Sequence, residues 1–542
     1  MDLPTNDVTS AQAALDRGEI SSVELVRAAL ARADESDGTF GVFLSRFDDQ
    51  ALRAAAGADA ARRAGSRSPL LGIPIGVKDV ISTLDGETTA QSLVFDRTSM
   101  SGDAACIARL RAAGAIVIGK TTTLEFALGL PDDTKPFPVP RNPWSRSHWC
   151  GGSSAGSAAG VAAGMMTAAV GTDTGSSIRM PSALCGVTGL KPTFGLVPKS
   201  GCVPLAFSLD HVGPLGRTAQ DCAVLLEAMA GHDPLDPSSA DRAPKAMLAG
   251  LNGDLRGLTV GVDGLSRYSG EQEDPQLQRL LGDLVRGLQH AGADVVDVEL
   301  PFYGEAASLS LIVTIAEALA YHATDLGSRW NDYLASTRMG LALGAFVSAS
   351  DYLQAQRVRR TVHAAVAGLF EHVDLIVTPT VSRPAPRMEE AAAYVGSFFA
   401  GRDLAFHTSY WNAMGNPAIS VPIGFSESGL PLAGQITGRP FEDDLVLRAA
   451  HAFQQVSDWH RRPCVELRQD DPAPPSPPAA GEDSTPAPGG EAEAALRRYG
   501  VTPDPQEWGA LDAGGSAVRR HADVLHAFGP ARYEEPATTF RA

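Results

Sequence analysis

The sequence predicts an α/β fold with a partly parallel sheet, and three observations carry that reading. Short apolar runs that alternate residue by residue are interleaved with runs of helical period. A central stretch, residues 150–195, is crowded with glycine, serine and alanine and almost free of flexible charged side chains. One of its loops falls where a strand ends, the place where α/β folds put chemistry. Finally, 542 residues with 44% hydrophobic content provide ample core for one large domain or two.

The elements follow in chain order. Thr9-x-x-Gln12 and Ser21-x-x-Glu24 read as capping boxes that open two N-terminal helices, with Gly18 ending the first. Val23, Leu25, Val26 and Leu30 repeat at helical spacing in the second, and an Ala- and Arg-rich helix is expected over 48–64. Ile73, Ile75 and Val77 alternate in a short strand that Lys78 closes. Residues 104–113 form a helix ended by Gly114, and 115–120 a buried strand. A proline-rich loop over 131–144 leads into the glycine-serine stretch. There 157–166 reads as a helix of small residues, and 167–170 as a strand. Further strands are expected at 258–262, 294–300 and 373–379, with a final strand pair at 418–422 and 431–436. Helices are expected over 219–230 and 276–291, in long runs to about 370, and over 445–456.

Composition narrows the function classes. A formal charge of −18 argues against a nucleic-acid backbone as the main partner. Six irregularly spaced cysteines make no disulfide framework, and without C-x-x-C spacing no zinc site or other metal or cofactor is expected. The start has neither a basic nor an apolar run, so no signal peptide is expected and a cytoplasmic enzyme is the default. No apolar run reaches the roughly 18 residues of a membrane helix; 158–170 comes nearest. From about Gln469 the composition becomes that of a linker. The expected division is a catalytic domain over 1–468, a Pro/Ala/Gly-rich linker over 469–490 and a helical appendage over 491–542, with short helices near 491–499 and 515–528.

Two serine clusters carry the chemistry, Ser153/Ser154 and Ser176/Ser177, each in a glycine setting able to aim amide hydrogens at one point. Hydrolysis of an amide needs an activated nucleophile, a home for the oxyanion and a proton for the departing nitrogen. No G-x-S-x-G elbow is present, and although His148 is near the first cluster, no histidine sits in such a context. A Ser–Lys arrangement is the other common route, with the lysine held neutral by burial. Taken alone, Lys78 reads as a lysine that snorkels to solvent at the end of its strand.

The ordered set Gly76-Val77-Lys78-Asp79, Gly151-Gly152-Ser153-Ser154-x-Gly156-Ser157, Gly171-Thr172-Asp173-Thr174-Gly175-x-Ser177-Ile178-Arg179, Cys185-Gly186 and Gly189-Leu190-Lys191-Pro192-Thr193 resembles the amidase signature family over roughly residues 10–465. The resemblance implies one large domain with a mixed, mostly parallel central sheet covered by helices on both faces. It also implies a Ser–cis-Ser–Lys triad, with Ser177 as nucleophile, Ser153 as the bridging serine after a cis peptide bond, and Lys78 as base. Ser153 and Ser177 stand 24 residues apart, the family's usual spacing. The oxyanion hole falls on the amides of Thr174, Gly175, Ser176 and Ser177. Ser176 stands where the family usually has glycine and competes with Ser177; Ala155 also replaces a common glycine. Ser154 and Thr172 are read as supporting hydrogen bonders, Asp173 with Arg179 as a structural ion pair, Asp79 as a structural hydrogen bonder, and Cys150 and Cys185 as packing residues.

The function expected is hydrolysis of a small carboxamide to a carboxylate and ammonia or amine through an acyl-enzyme. The alternatives are the glutaminase component of a tRNA-dependent amidotransferase, or a hydrolase of ureido compounds of the carboxybiuret or allophanate kind. The expected partner is a small-molecule amide, with no membrane and no direct nucleic acid. The C-terminal segment resembles small helical companion subunits and is read as a clasp around its own body or a neighbouring copy, as in a homodimer. The acyl pocket is expected from 126–131, 202–207 and 398–411, where Phe398, Phe399, Tyr410 and Trp411 serve either an aromatic acyl group or the core.

Overall fold

The computed structural model describes residues 7–243, 245–269, 273–393, 406–464, 491–532 and 534–537. Asp7, rather than Thr9, caps the first helix, Val8–Arg17: its carboxylate accepts the Ser10 amide at 2.7 Å. A carboxylate just ahead of Val8 takes the N-cap and leaves Thr9 inside the first turn. Gly18 ends that helix in the left-handed region with φ 70°. Ser21 and Glu24 form the capping box of the second helix, Ser22–Phe40, as their spacing indicates.

The strands are β1 (Phe43–Arg46), β2 (Pro74–Lys78), β3 (Ile116–Thr121), β4 (Arg141–Asn142), β5 (Ser145–Trp149), β6 (Ala168–Asp173), β7 (Thr188–Lys191), β8 (His211–Gly216), β9 (Thr259–Val262), β10 (Asp294–Asp297), β11 (Leu375–Pro379), β12 (Ala418–Phe425) and β13 (Pro431–Gly438). β4 and β5 make a small antiparallel ribbon where the sequence suggested only a loop. The others form one sheet in the order β1-β3-β2-β6-β8-β7-β12-β13-β11-β9-β10.

The sheet is mixed, but "mostly parallel" is corrected. β2–β3, β2–β6, β9–β10 and β9–β11 are parallel. The six remaining pairings are antiparallel. Topology explains it. β6 and β7 point the same way, and β8 inserts between them, converting a parallel neighbourhood into two antiparallel pairs. β12 and β13 are joined by a short turn, which permits only the antiparallel arrangement.

Strand alternation sorts the core into two faces. Ile75, Val77, Val117, Ala168 and Val170 face one cluster with Leu15, Ile107, Leu225, Leu284 and Phe453 from helices. Ile116, Ile118 and Ala169 face the other, with Val26, Ala55, Ala158 and Ala159. The helix Ala155–Ala162 is made of small residues because it lies against backbone: a Cβ on Gly156 would stand 2.5 Å from the Val42 carbonyl oxygen.

The helix Tyr303–Ser328 exceeds the apolar run at 158–170. It is long and apolar enough to cross a membrane by length and composition, yet 72% of its apolar window is buried inside the fold. One covering element is the C-terminal segment. Its helices are Glu491–Arg497 and Trp508–Ala527, the second starting earlier than expected. Gly514 and Gly515 lie within it because Leu343 and Phe346 press on that face; Cβ atoms there would meet them at 2.5 and 2.3 Å. Leu496 and Leu511 join one core cluster, and Val518 and Leu525 another. Glu507 binds Arg338 at 2.8 Å, and Phe528 meets Phe302 edge-on at 4.9 Å. Residues 469–490, read as a linker, lie outside the described residues.

Candidate active site

β2 delivers Lys78 and the neighbouring β6 delivers Thr172 to the same end of the sheet. Lys78 is fully buried; its Nζ donates to Ser153 Oγ at 2.7 Å and to Thr172 Oγ1 at 2.8 Å. Burial pushes its pKa from 10.5 down to about 7, against the opposing pull of Asp173 and Asp210. Lys78 therefore does not snorkel to solvent; at neutral pH it has a substantial uncharged population. The neighbouring Asp79 pairs with buried Lys120 at 3.1 Å and accepts from the amide of Thr89, which fixes the chain leaving Lys78.

The peptide bond between Gly152 and Ser153 is cis. The Ser154 amide donates to the Ser177 carbonyl at 3.1 Å, so the two serine clusters are joined through backbone. Ser154 Oγ also donates to the Thr172 carbonyl at 3.2 Å. Ser153, Ser176 and Ser177 all line one cavity of about 150 Å³, together with Gly152, Thr174 and Gly175.

The loop after β6 is held by its carbonyls and side chains. Gly175 O accepts from Thr408 Oγ1 at 2.8 Å, and Ser176 O from the Met180 amide at 2.7 Å. Thr174 Oγ1 donates to Asp210 at 2.5 Å. Among the described residues, the amides of Thr174, Gly175, Ser176 and Ser177 have no hydrogen-bond acceptor. With the carbonyls tied back into the protein, these amides are available to a developing oxyanion in the cavity.

Beneath the loop, Asp173 and Arg179 are completely buried and joined by two 3.0 Å hydrogen bonds. Burial alone would raise the Asp173 pKa, but the Arg179 charge and hydrogen bonds hold it well below the usual carboxylate range. Asp173 also accepts from the amides of Ile178 and Arg179 and from Asn412, while Arg179 donates to Gln435 and Asn412. This network fixes both ends of the amide-bearing loop. Cys150 and Cys185 are buried; the Cys185 thiol donates to the Cys150 carbonyl at 3.6 Å.

The structure thus brings together Lys78, Ser153, Thr172, Ser154 and Ser177, with Thr174, Gly175 and Ser176 on the same cavity wall. His148 binds Ser145 on the small ribbon and does not join them. Of the expected pocket aromatics, Tyr410 and Trp411 are core residues, 1% and 0% exposed, and Tyr410 stacks on Tyr303. Phe398 and Phe399 lie outside the described residues. Leu128, Leu130 and Leu205 line the cavity, in segments the sequence reading named. That reading missed Thr408, Asn412 and Gln435, which hold the loop from more than 200 residues away in sequence. Polar residues in helices and strands carry no local signal of such a role. Among the described residues, no group of three His, Cys, Asp or Glu side chains could hold a metal ion.

The chain is similar over most of its length to known amidases and amidotransferase A subunits. The family model described as Amidase matches residues 24–447. The chain is 37% identical over 475 residues to the A subunit of the glutamyl-tRNA(Gln) amidotransferase of Geobacter metallireducens, covering 82% of this chain and 96% of the relative. It is 38% identical over 461 residues to an amidase of Pseudomonas putida, covering 84% of this chain and 97% of that one. The solved peptide amidase of Stenotrophomonas maltophilia superposes with a TM-score of 0.73 at 31% identity, over 86% of this chain and 99% of that chain.

Proposed function

This chain belongs to the amidase family, and from that premise we propose that it hydrolyses the C–N bond of a small carboxamide with Ser177 as nucleophile. One observation carries the mechanism: a fully buried lysine with a pKa near 7 lies 2.7 Å from the Ser153 hydroxyl.

In the first half-reaction Ser177 Oγ attacks the carbonyl carbon. Its proton passes to Ser153 Oγ as the Ser153 proton passes to neutral Lys78. The oxyanion takes up the free amides of the 174–177 loop. Lys78 then returns its proton through Ser153 to the departing nitrogen, leaving an ester on Ser177 and free ammonia or amine. In the second half, water attacks that ester, the same relay takes its proton, and Ser177 is regenerated with release of the carboxylate. The Ser154–Ser177 backbone hydrogen bond favours Ser177 over Ser176, since it ties that residue to the segment bearing Ser153.

A panel of aliphatic, aromatic and ureido amides, assayed for ammonia release beside Ser177→Ala and Lys78→Ala, tests the proposal. Release by the unaltered protein and its loss in both variants is expected. The amidotransferase relatives support a second reading, in which the chain feeds ammonia to a partner protein. Amide hydrolysis by the purified chain alone favours the first reading, and activity that appears only with added partner proteins the second. For assembly, we read the C-terminal segment as clasping its own body, with exchange onto a second copy as the route to a dimer; sedimentation of the full chain separates the two.

A further inference from the structure

A chamber of about 440 Å³ lies beside the catalytic cavity, and Ala127, Thr174 and Leu205 line both. The helix Ala349–Leu369 turns Tyr352, Gln356 and Arg359 toward the chamber at one-turn spacing. Two of these have their polar atoms engaged by protein. Arg359 donates to the Ala413 and Ser208 carbonyls, at 2.7 and 3.0 Å. Tyr352 donates to Glu317 at 2.9 Å.

Gln356 is engaged only in part: its side-chain amide hydrogen-bonds Tyr352, while its Oε1 has no hydrogen-bond partner among the described residues and the residue is 2% exposed. Buried polar side-chain atoms are nearly always hydrogen-bonded, so this oxygen has room for a donor, supplied by water or by a molecule that enters the chamber. The C-terminal segment contributes to the chamber's wall. Glu534 pairs with Arg360 at 3.3 Å, and the Ala537 amide donates to the Gln356 backbone carbonyl at 3.2 Å, which puts Ala537 in the wall. The family model ends at residue 447, so this part of the wall is built from sequence beyond it.

We propose that this chamber is a second substrate compartment: it receives the far end of the acyl group, where Gln356 Oε1 accepts a hydrogen bond from an N–H or O–H carried by the substrate. The substrate class is then a bifunctional amide, with a donor group remote from the bond that is cleaved. The proposal rests on the amidase reading and deepens it.

The test compares linear diamides of increasing chain length with their counterparts bearing a methyl ester in place of the remote carboxamide. Binding is measured by calorimetry in the Ser177→Ala protein, where no turnover intervenes. At one chain length the diamide binds about tenfold more tightly than the ester, the worth of roughly one neutral hydrogen bond. In Ser177→Ala with Gln356→Met, which keeps the side-chain length and removes the acceptor, that ratio falls to about one. Equal binding of diamide and ester at every length, or a preference that survives Gln356→Met, overturns the proposal. The comparison in the protein that retains Gln356 decides the matter even where Gln356→Met does not fold. Hydrolysis of a short monoamide by the unaltered chain reports separately on the amidase reading.

Discussion

Lys78 and Thr172 meet at the ends of two parallel neighbouring strands, the Lys78 ammonium nitrogen 2.8 Å from Thr172 Oγ1 and 3.4 Å from the Thr172 carbonyl oxygen, while a third hydrogen bond, 2.7 Å long, goes to Ser153. The threonine hydroxyl is an acceptor for a group whose charged form burial disfavours. It therefore supports the ammonium, and it also aims the lysine at Ser153. Thr172→Val removes both effects. The acid limb of kcat/KM is expected to move down by about one pH unit, since a hydrogen bond to a charged group is worth roughly 1.5–3 kcal/mol. The plateau rate is expected to fall about tenfold as the amine loses its second side-chain anchor and keeps at residue 172 only the longer bond to the carbonyl. A pH–rate profile of Thr172→Val beside the unaltered chain checks both.

The unaltered chain has its own acid limb. Lys78 must be neutral to accept the proton, its pKa is about 7, and the neutral form predominates above that value. The rate kcat/KM is therefore flat above pH 8 and falls tenfold per unit below 7. Lys78→Ala abolishes the limb and lowers the rate by about a thousandfold or more. A limb centred near 4 would assign the titration to a carboxylate instead.

Arg179 holds Asp173 in a site with no access to water. Arg179→Met leaves that carboxylate buried and uncompensated, at a cost of roughly 3–5 kcal/mol. The measurement is the urea midpoint, which should drop at unchanged slope. Asn412→Ala leaves the ion pair intact but removes one of its supports, and a loss of rate larger than its loss of stability is expected there.

The C-terminal segment is part of the core, and Leu511 is completely buried within it. Leu511→Ala should cost about 2–5 kcal/mol in urea unfolding, the range for a truncated core leucine. Val524→Ala, on the 42% exposed side of the same helix, should stay within about 0.5 kcal/mol. Equal effects of the two would mean that this segment stands apart from the folded body.

Much of the fold was legible because its strands and helices repeat with clean periods. Ile75 and Val77 alternate in a real strand that begins just after Ile73, and Ser21 and Glu24 make a real cap. The failures have physical causes. β7 is four residues long and contains Gly189, and β8 contains Gly213 and Pro214, so neither shows an apolar alternation. The insertion of β8 between β6 and β7, which sets the sheet's mixed character, is a non-local fact that no short window records. In the site, Lys78, Ser153 and Ser177 were marked by an ordered motif. Thr408, Asn412 and Gln435 were not, because their value lies in reaching a loop far away in sequence. The burial that lowers the Lys78 pKa is likewise a property of the assembled core.

The most direct measurement of the central claim is the mass of the protein quenched during turnover of a slowly deacylating amide or ester, followed by peptide mapping. The account predicts one acyl group on Ser177, absent in Ser177→Ala and accumulating far more slowly in Lys78→Ala. An acyl group on Ser176, or labelling of Ser177 at an undiminished rate without Lys78, would contradict it.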